Sequence, residues 1–369
     1  MTSVLPSRRR IFAARWKGYD IPIIIMRIFY RLLAAAAVLA AFVACDLIDP
    51  DTPDRYPVEK PDSSEEEEKP EEEDRPVISK IKKSSRTLEV SMNFTAEASS
   101  SSSRLYVALP CPRSNDYQDI SNLETDGQHK TTDKGDEYLT WNETYERGSQ
   151  VNHTSKVVFD YVTYGVSVDF SRIPEIYPYD TDSEIYRNYT SSSGEYIDPM
   201  NLTIKSIASS LWDKSSDVVD YAYKCYEYVA SRYRYLNPNT GIHTLENNLK
   251  AGGGDCGNLS AIYISLLRNR NIPSRPVVCI RPDASFHVWS EFYLESYGWI
   301  PVDVTYKNSD PQGDYFGIYP GDGIVVSNEY DLLLEIGDKT FSIPLLQTYA
   351  YWYRNMAGAE DSYKIKIVE

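Results

Sequence analysis

Histidine and cysteine are scarce in this chain: four of the first and five of the second in 369 residues. The cysteines are Cys45, Cys111, Cys225, Cys256 and Cys279. They form no C-x-x-C pair and no regular framework, which argues against a finger-type zinc site and against a disulfide scaffold. An exported chain can still pair some of them. Positive charge is also short. Lys and Arg number 38 against 54 Asp and Glu, a net charge of −16. Such a surface repels phosphate backbones, so no nucleic-acid partner is expected. The apolar run Leu32 to Val43 falls short of the ~20 residues that a membrane-spanning helix needs. No internal repeat is present. Tyrosine, by contrast, is abundant, with 31 copies. Its amphipathic ring suits half-wet strand faces, or a groove that takes peptide or sugar.

The N-terminus reads as an address. Arg27 and Arg31 precede the apolar run, which ends in small residues and Cys45. That is the layout of a secretory signal. Phe42-Val43-Ala44-Cys45 resembles a bacterial lipobox, with Phe42 where Leu is usual, and the resemblance implies lipidation of Cys45. Met26 would open a signal of conventional length, and residues 1 to 25 fit no targeting pattern. Asp46 to Arg75 is acidic, proline-rich and nearly devoid of apolar residues, so it is expected to be a disordered tether. In some Gram-negative lineages an acidic stretch after the lipidated cysteine is similar to this one and serves surface export.

From Ile78 to about Pro199 the pattern is β. Leu88, Val90, Met92 and Phe94 alternate with polar residues, and Leu105, Val107 and Leu109 repeat the pattern. Further strands are expected over Glu137 to Tyr145 and Lys156 to Phe170, as a sandwich-like antiparallel layer. The period then changes. Val219, Ala222, Tyr226, Val229 and Tyr233 step by three and four, the stripe of a helix that Ser216 or Asp217 can cap and Asn237-Pro238 ends. Thr244 caps a short turn, Leu245 to Lys250. After Gly252-Gly253-Gly254, Cys256 opens a second helix with Leu259, Ile262, Tyr263 and Leu266 on one face. Strands are expected at Arg275 to Arg281, Phe286 to Leu294 and Trp299 to Thr305. The order is α+β, with short strands from Tyr315 to the end.

Three residues carry chemistry. Cys256 stands where a glycine run meets a helix N-terminus, whose unpaired N–H groups and positive potential favour a thiolate. His287 alternates with Trp289, Glu291 and Tyr293 on one face of its strand, while Phe286, Val288, Phe292 and Leu294 should face the core. A histidine facing a thiolate can act as general base. Asp303 sits in an apolar segment where burial is costly without a partner, and an imidazole would be that partner. His129, His153 and His243 fall in no ligand cluster, so neither metal nor cofactor is expected.

Gly254-Asp255-Cys256-Gly257-Asn258-Leu259, with the run Leu266 to Arg275, resembles the Cys helix of transglutaminase-like domains. Phe286-His287-Val288-Trp289-Ser290-Glu291 is similar to their His strand, and Tyr297-Gly298-Trp299-Ile300-Pro301-Val302-Asp303 to their Asp strand. Tyr233-Arg234-Tyr235 and Tyr315-Phe316-Gly317 also match. Leu259 departs from the aromatic residue common there. The resemblance spans about 204 to 326. It implies a papain-related α+β core, with the Cys helix packed on an antiparallel sheet. The expected plan is an extension and signal over 1–45, a linker over 46–77, a β-rich region over 78–200 and the transglutaminase-like domain over 201–369. The implied chemistry is metal-free attack of Cys256 on an amide of a peptide or protein, with His287 as base and Asp303 as orienter. Hydrolysis is expected over crosslinking, because the domain is of a small bacterial type. The rival reading is an idle module of the same fold that binds peptide or glycan at the cell envelope. The expected location is the outer membrane or cell surface of a Gram-negative bacterium, or its periplasmic face, through a lipid on Cys45.

Overall fold

A computed structural model describes residues 77–236 and 241–368. The signal, Cys45, the linker up to residue 76 and Asn237-Pro238 lie outside the described residues.

Two long strands open the fold: β1 (Ile78–Ala98) and, after β2 (Ser103–Pro110), β3 (Gln118–Thr125), β4 (Gln128–Thr131) and β5 (Glu137–Tyr145), β6 (Gln150–Val168). The expected alternation holds: Leu88, Val90, Met92 and Phe94 are all buried. β1 pairs with β6 along nearly its whole length, with a register shift between Lys82 and Ser84. β6 starts before Lys156 and stops at Val168, because Asp169 caps a 3-10 turn over Phe170–Arg172. The region before residue 200 is not all strand. It contains the helix α1 (Glu184–Thr190), capped by Ser183.

The helical part follows. α2 (Leu202–Trp212) precedes α3 (Val218–Arg232), which Asp217 caps by accepting the Asp220 N–H. Ala222, Tyr226 and Val229 of its expected stripe are fully buried. After β7 (Arg234–Tyr235) come α4 (Leu245–Ala251), β8 (Gly253–Gly254) and α5 (Cys256–Arg268). α5 buries every residue from Gly257 to Arg268, not one face alone. Leu259, Ile262 and Leu266 pack with α3, while Ala261 and Ile264 join the core of the β region. Each fully buried Leu or Ile contributes about 1.5–3 kcal/mol, so this helix is the spine of the fold.

β9 (Ser274–Ile280), β10 (Phe286–Leu294) and β11 (Gly298–Val302) form the sheet β11-β10-β9-β13, with β13 at Ile324–Ser327. Between them lie α6 (Val304–Ser309) and β12 (Ile318–Tyr319). The strand expected over Trp299 to Thr305 stops at Val302. Asp303 accepts the N–H groups of Thr305 and Tyr306 and starts α6 instead. Val304-Thr305 is β-branched and reads as strand, and the capping carboxylate overrides that preference.

The chain ends with β14 (Leu332–Ile336), β15 (Lys339–Ile343), β16 (Ala350–Arg354) and β17 (Met356–Val368). β17 pairs with β1 and β16 with β2, giving the sheets β12-β6-β1-β17 and β16-β2-β5-β4. The boundary expected near residue 200 is therefore crossed by C-terminal strands that complete the N-terminal sheets. The described residues, 77–236 and 241–368, form one compact unit. Among the described residues, no helix is long and apolar enough to cross a membrane.

Candidate active site

The glycine run is needed for the approach to the nucleophile. At Gly253 (φ 149°) a Cβ would lie 2.0 Å from the Arg234 carbonyl oxygen, because β7 and β8 pair in parallel there. At Gly254 it would collide with the Asn258 side chain at 2.4 Å. Asp255 then caps α5 by accepting the Asn258 N–H, which leaves Cys256 in the first turn and half-buried. Burial raises the Asp255 carboxyl, with the Asn258 bonds pulling the other way.

Two residues to which the sequence assigns no role, Asn258 and Tyr330, fix this turn. Asn258 is buried. Its Nδ2 donates to Asp255 Oδ1 at 2.7 Å and to the Gly241 carbonyl at 3.1 Å, and its Oδ1 accepts the His243 N–H at 2.8 Å. Tyr330, also buried, donates its hydroxyl to the Gly257 carbonyl at 2.9 Å. Both side chains are fully partnered, so the helix start cannot shift without losing buried hydrogen bonds.

His287 on β10 meets Asp303, which follows the end of the neighbouring β11. His287 Nε2 lies 2.5 Å from Asp303 Oδ2, and both residues are 5 % exposed. The other carboxylate oxygen, Oδ1, accepts the N–H groups of Thr305 at 3.0 Å and Tyr306 at 2.9 Å. Asp303 is thus a helix cap and an imidazole partner at once. With Nε2 engaged, Nδ1 is the ring nitrogen left for the sulfur. Burial alone would lower the His287 pKa. The charge and hydrogen bond of Asp303, and then the Cys256 sulfur, outweigh it and raise the imidazole to about 10. The structure therefore brings Cys256, His287 and Asp303 together and favours the imidazolium form.

The environment of His287 was not legible beforehand. Tyr306 stacks on it with 4.8 Å between centroids and 14° between planes. The Tyr306 hydroxyl is held by Arg281 Nη2 at 2.6 Å and by Asp322 at 3.1 Å. Gln347 Nε2 donates to the carbonyls of His287 and Cys279, each at 3.0 Å, and ties the two strands at this point. Tyr235, 41 % exposed, flanks the sulfur: burial, then the charges of Cys256 and Asp255, push its phenol up to about 12.

The remaining residues on the His287 face do not open to a cleft. Trp289 and Glu291 are buried against the β region. Trp289 stacks on Tyr319 with centroids 4.5 Å apart, and Glu291 accepts from Tyr117 and from Arg275 at 2.7 Å. Core-facing Val288, Phe292 and Leu294 behave as expected.

The other three described cysteines are buried free thiols, so no disulfide forms among the described residues. Burial pushes Cys111 up to about 12, and Cys225 and Cys279 higher still. Among the described cysteines, Cys256 alone combines solvent access with a neighbouring imidazolium.

A family model described as the transglutaminase-like superfamily matches residues 205–304, a span that contains all three site residues. A comparison with curated proteins returns no match. Among solved structures, the chain is similar to a candidate cysteine protease from Cytophaga hutchinsonii, at 11% identity and a TM-score of 0.52, over 79% of this chain and 93% of that one. It is also similar to the periplasmic domain of TgpA from Pseudomonas aeruginosa, at 12% identity and a TM-score of 0.35, over 57% and 72% of the two chains. At these identities the first likeness bears on fold.

Proposed function

We propose that this chain is a cysteine enzyme that cleaves amide bonds of peptides or proteins through a thioester on Cys256, a reading supported by the match of residues 205–304 to a transglutaminase-like family model. The observation that supports this most is the Cys256–His287–Asp303 cluster, with the imidazole held between a carboxylate and the sulfur. The Cys256 sulfur attacks the amide carbonyl carbon. The C–N bond breaks as the imidazolium of His287 gives its proton to the leaving amine. Water then attacks the thioester while His287 takes a proton, and the acid leaves with Cys256 restored. Asp303 keeps Nε2 occupied, so that Nδ1 does the proton transfer.

Hydrolysis is the proposed outcome over transfer to an amine, on the strength of the small, single-unit architecture. Attachment through a lipid on Cys45, with the enzyme displayed at the outer membrane or cell surface, is proposed from the Arg27–Arg31 and Leu32–Cys45 pattern alone. The test is intact-mass analysis of the full chain mixed with unfolded protein, with and without a primary amine. A transient acyl adduct on Cys256 that decays in water supports the proposal. Loss of the adduct only when amine is present points to crosslinking. No adduct at any time overturns the reading.

A further inference from the structure

The sheet β16-β2-β5-β4 holds a second cluster, apart from Cys256. Cys111 follows β2 and lies opposite Glu137 at the start of β5, where its N–H donates to the Glu137 carbonyl at 3.0 Å. His129 on β4 pairs with Leu139 on β5, so it is the diagonal neighbour of Glu137. Directly opposed and diagonal residues share a face and lie within side-chain reach. The ligand atoms of all three residues fall within 4.8 Å of one another. The Cys111 sulfur and His129 Nδ1 are 3.9 Å apart.

As a set of hydrogen-bonding groups this trio is poor. An acceptor-only carboxylate gains little from a weak S–H donor. Among the described residues, neither Glu137 nor His129 has an ion-pair partner. As a ligand set it is good. Thiolate, imidazole and carboxylate together suit Zn²⁺, whereas Mg²⁺ and Ca²⁺ want oxygen alone. Zinc bonds of usual length at a tetrahedral angle separate sulfur and nitrogen by about 3.6 Å, close to the distance seen.

We propose that Cys111, His129 and Glu137 bind one Zn²⁺, with water at the fourth position on the side where His129 is exposed. The ligands come from β4, from β5 and from the residue just past the end of β2. β4 has four residues and sits at the sheet edge, and the ion would clamp it to β2 across β5. The spacing of 18 and 8 residues between ligands matches no linear zinc motif, and only the strand register brings them together.

The test uses the full chain carrying Cys256→Ala, so that the other thiol–imidazole pair cannot take the metal. The protein is stripped with chelator and titrated with Co²⁺, then with Zn²⁺ in competition. The expected result is one Co²⁺ per chain, with thiolate-to-metal charge-transfer absorption and the intense d–d bands of four-coordination. Cys111→Ser abolishes the charge-transfer band. His129→Ala weakens binding by more than about 100-fold, since even losing an outer partner of a ligand costs roughly 10–100-fold. His129 is exposed, so its variant folds and decides the matter if Cys111→Ser does not. Zn²⁺ also slows amide exchange in β4 in the parent and not in His129→Ala. Binding that is unchanged in His129→Ala, the weak bands of six-coordinate Co²⁺, or no binding at all overturns the proposal.

Discussion

One carboxylate does two jobs: Asp303 holds His287 Nε2 at 2.5 Å with Oδ2 while Oδ1 caps α6. The two can be separated by substitution. Asp303→Asn keeps a capping oxygen and loses the charge that holds the imidazolium, so activity falls by roughly 100-fold to 10,000-fold and the stability supplied by the raised His287 pKa is lost with it. Asp303→Ala loses the cap as well and costs about 1 kcal/mol more. Steady-state kinetics beside urea unfolding of both variants checks this. Equal stability loss in the two variants would contradict the double role.

His287 dictates a pH dependence. Its folded-state pKa stands at about 10, above the ordinary 6.5. A raised pKa stabilises the fold fully below the unfolded value, and that stability is lost as pH rises through the folded one. The stability gap between the parent and His287→Gln should therefore shrink between about pH 6.5 and about pH 10. Activity should fall over the upper part of the same window as the proton for the leaving amine disappears. Denaturant midpoints and initial rates measured across this range test both statements.

Tyr306 positions the imidazole by stacking, and its hydroxyl is anchored by Arg281 and Asp322. Tyr306→Phe keeps the ring and should retain activity within about 3-fold. Tyr306→Ala frees the imidazole and should lower kcat by about 10-fold or more, as misplaced catalytic groups do. A kcat loss without a matching KM change identifies positioning.

Glu291 is fully buried and paired with Arg275 and Tyr117. Removing one partner of a buried pair strands the other charge, at a cost of about 3–5 kcal/mol. Glu291→Ala should destabilise by about that much, whereas breaking the exposed pair Lys250–Glu246 should leave stability nearly unchanged. Urea unfolding of the two single variants compares them directly.

Much of this was legible in the sequence, because local rules dominate there. Alternation along β1 and the bounds of β10 follow from period-2 patterning, and the start of α5 from a capping Asp after glycines. What was hidden depends on distant register. No local signal says that β16 and β17 return to the N-terminal sheets, that Tyr306 would lie on His287, or that His129 would meet Cys111 and Glu137. Asp303 meets the imidazole that its burial calls for, but from a helix cap and not from a strand. Its apolar, β-branched neighbours mimic a strand until its own carboxylate caps the next helix.

The central claim is that Cys256 and His287 form one reactive pair, and its most direct test is the alkylation rate of each cysteine by iodoacetamide, read by mass spectrometry against pH. The full chain and its His287→Ala variant would run side by side. The account predicts that Cys256 is labelled rapidly below pH 7, at least about 10-fold slower without His287, and that buried Cys111, Cys225 and Cys279 stay unlabelled. Labelling of Cys256 at the same rate in both proteins, with the pH course of a free thiol near about 8.5, would contradict it.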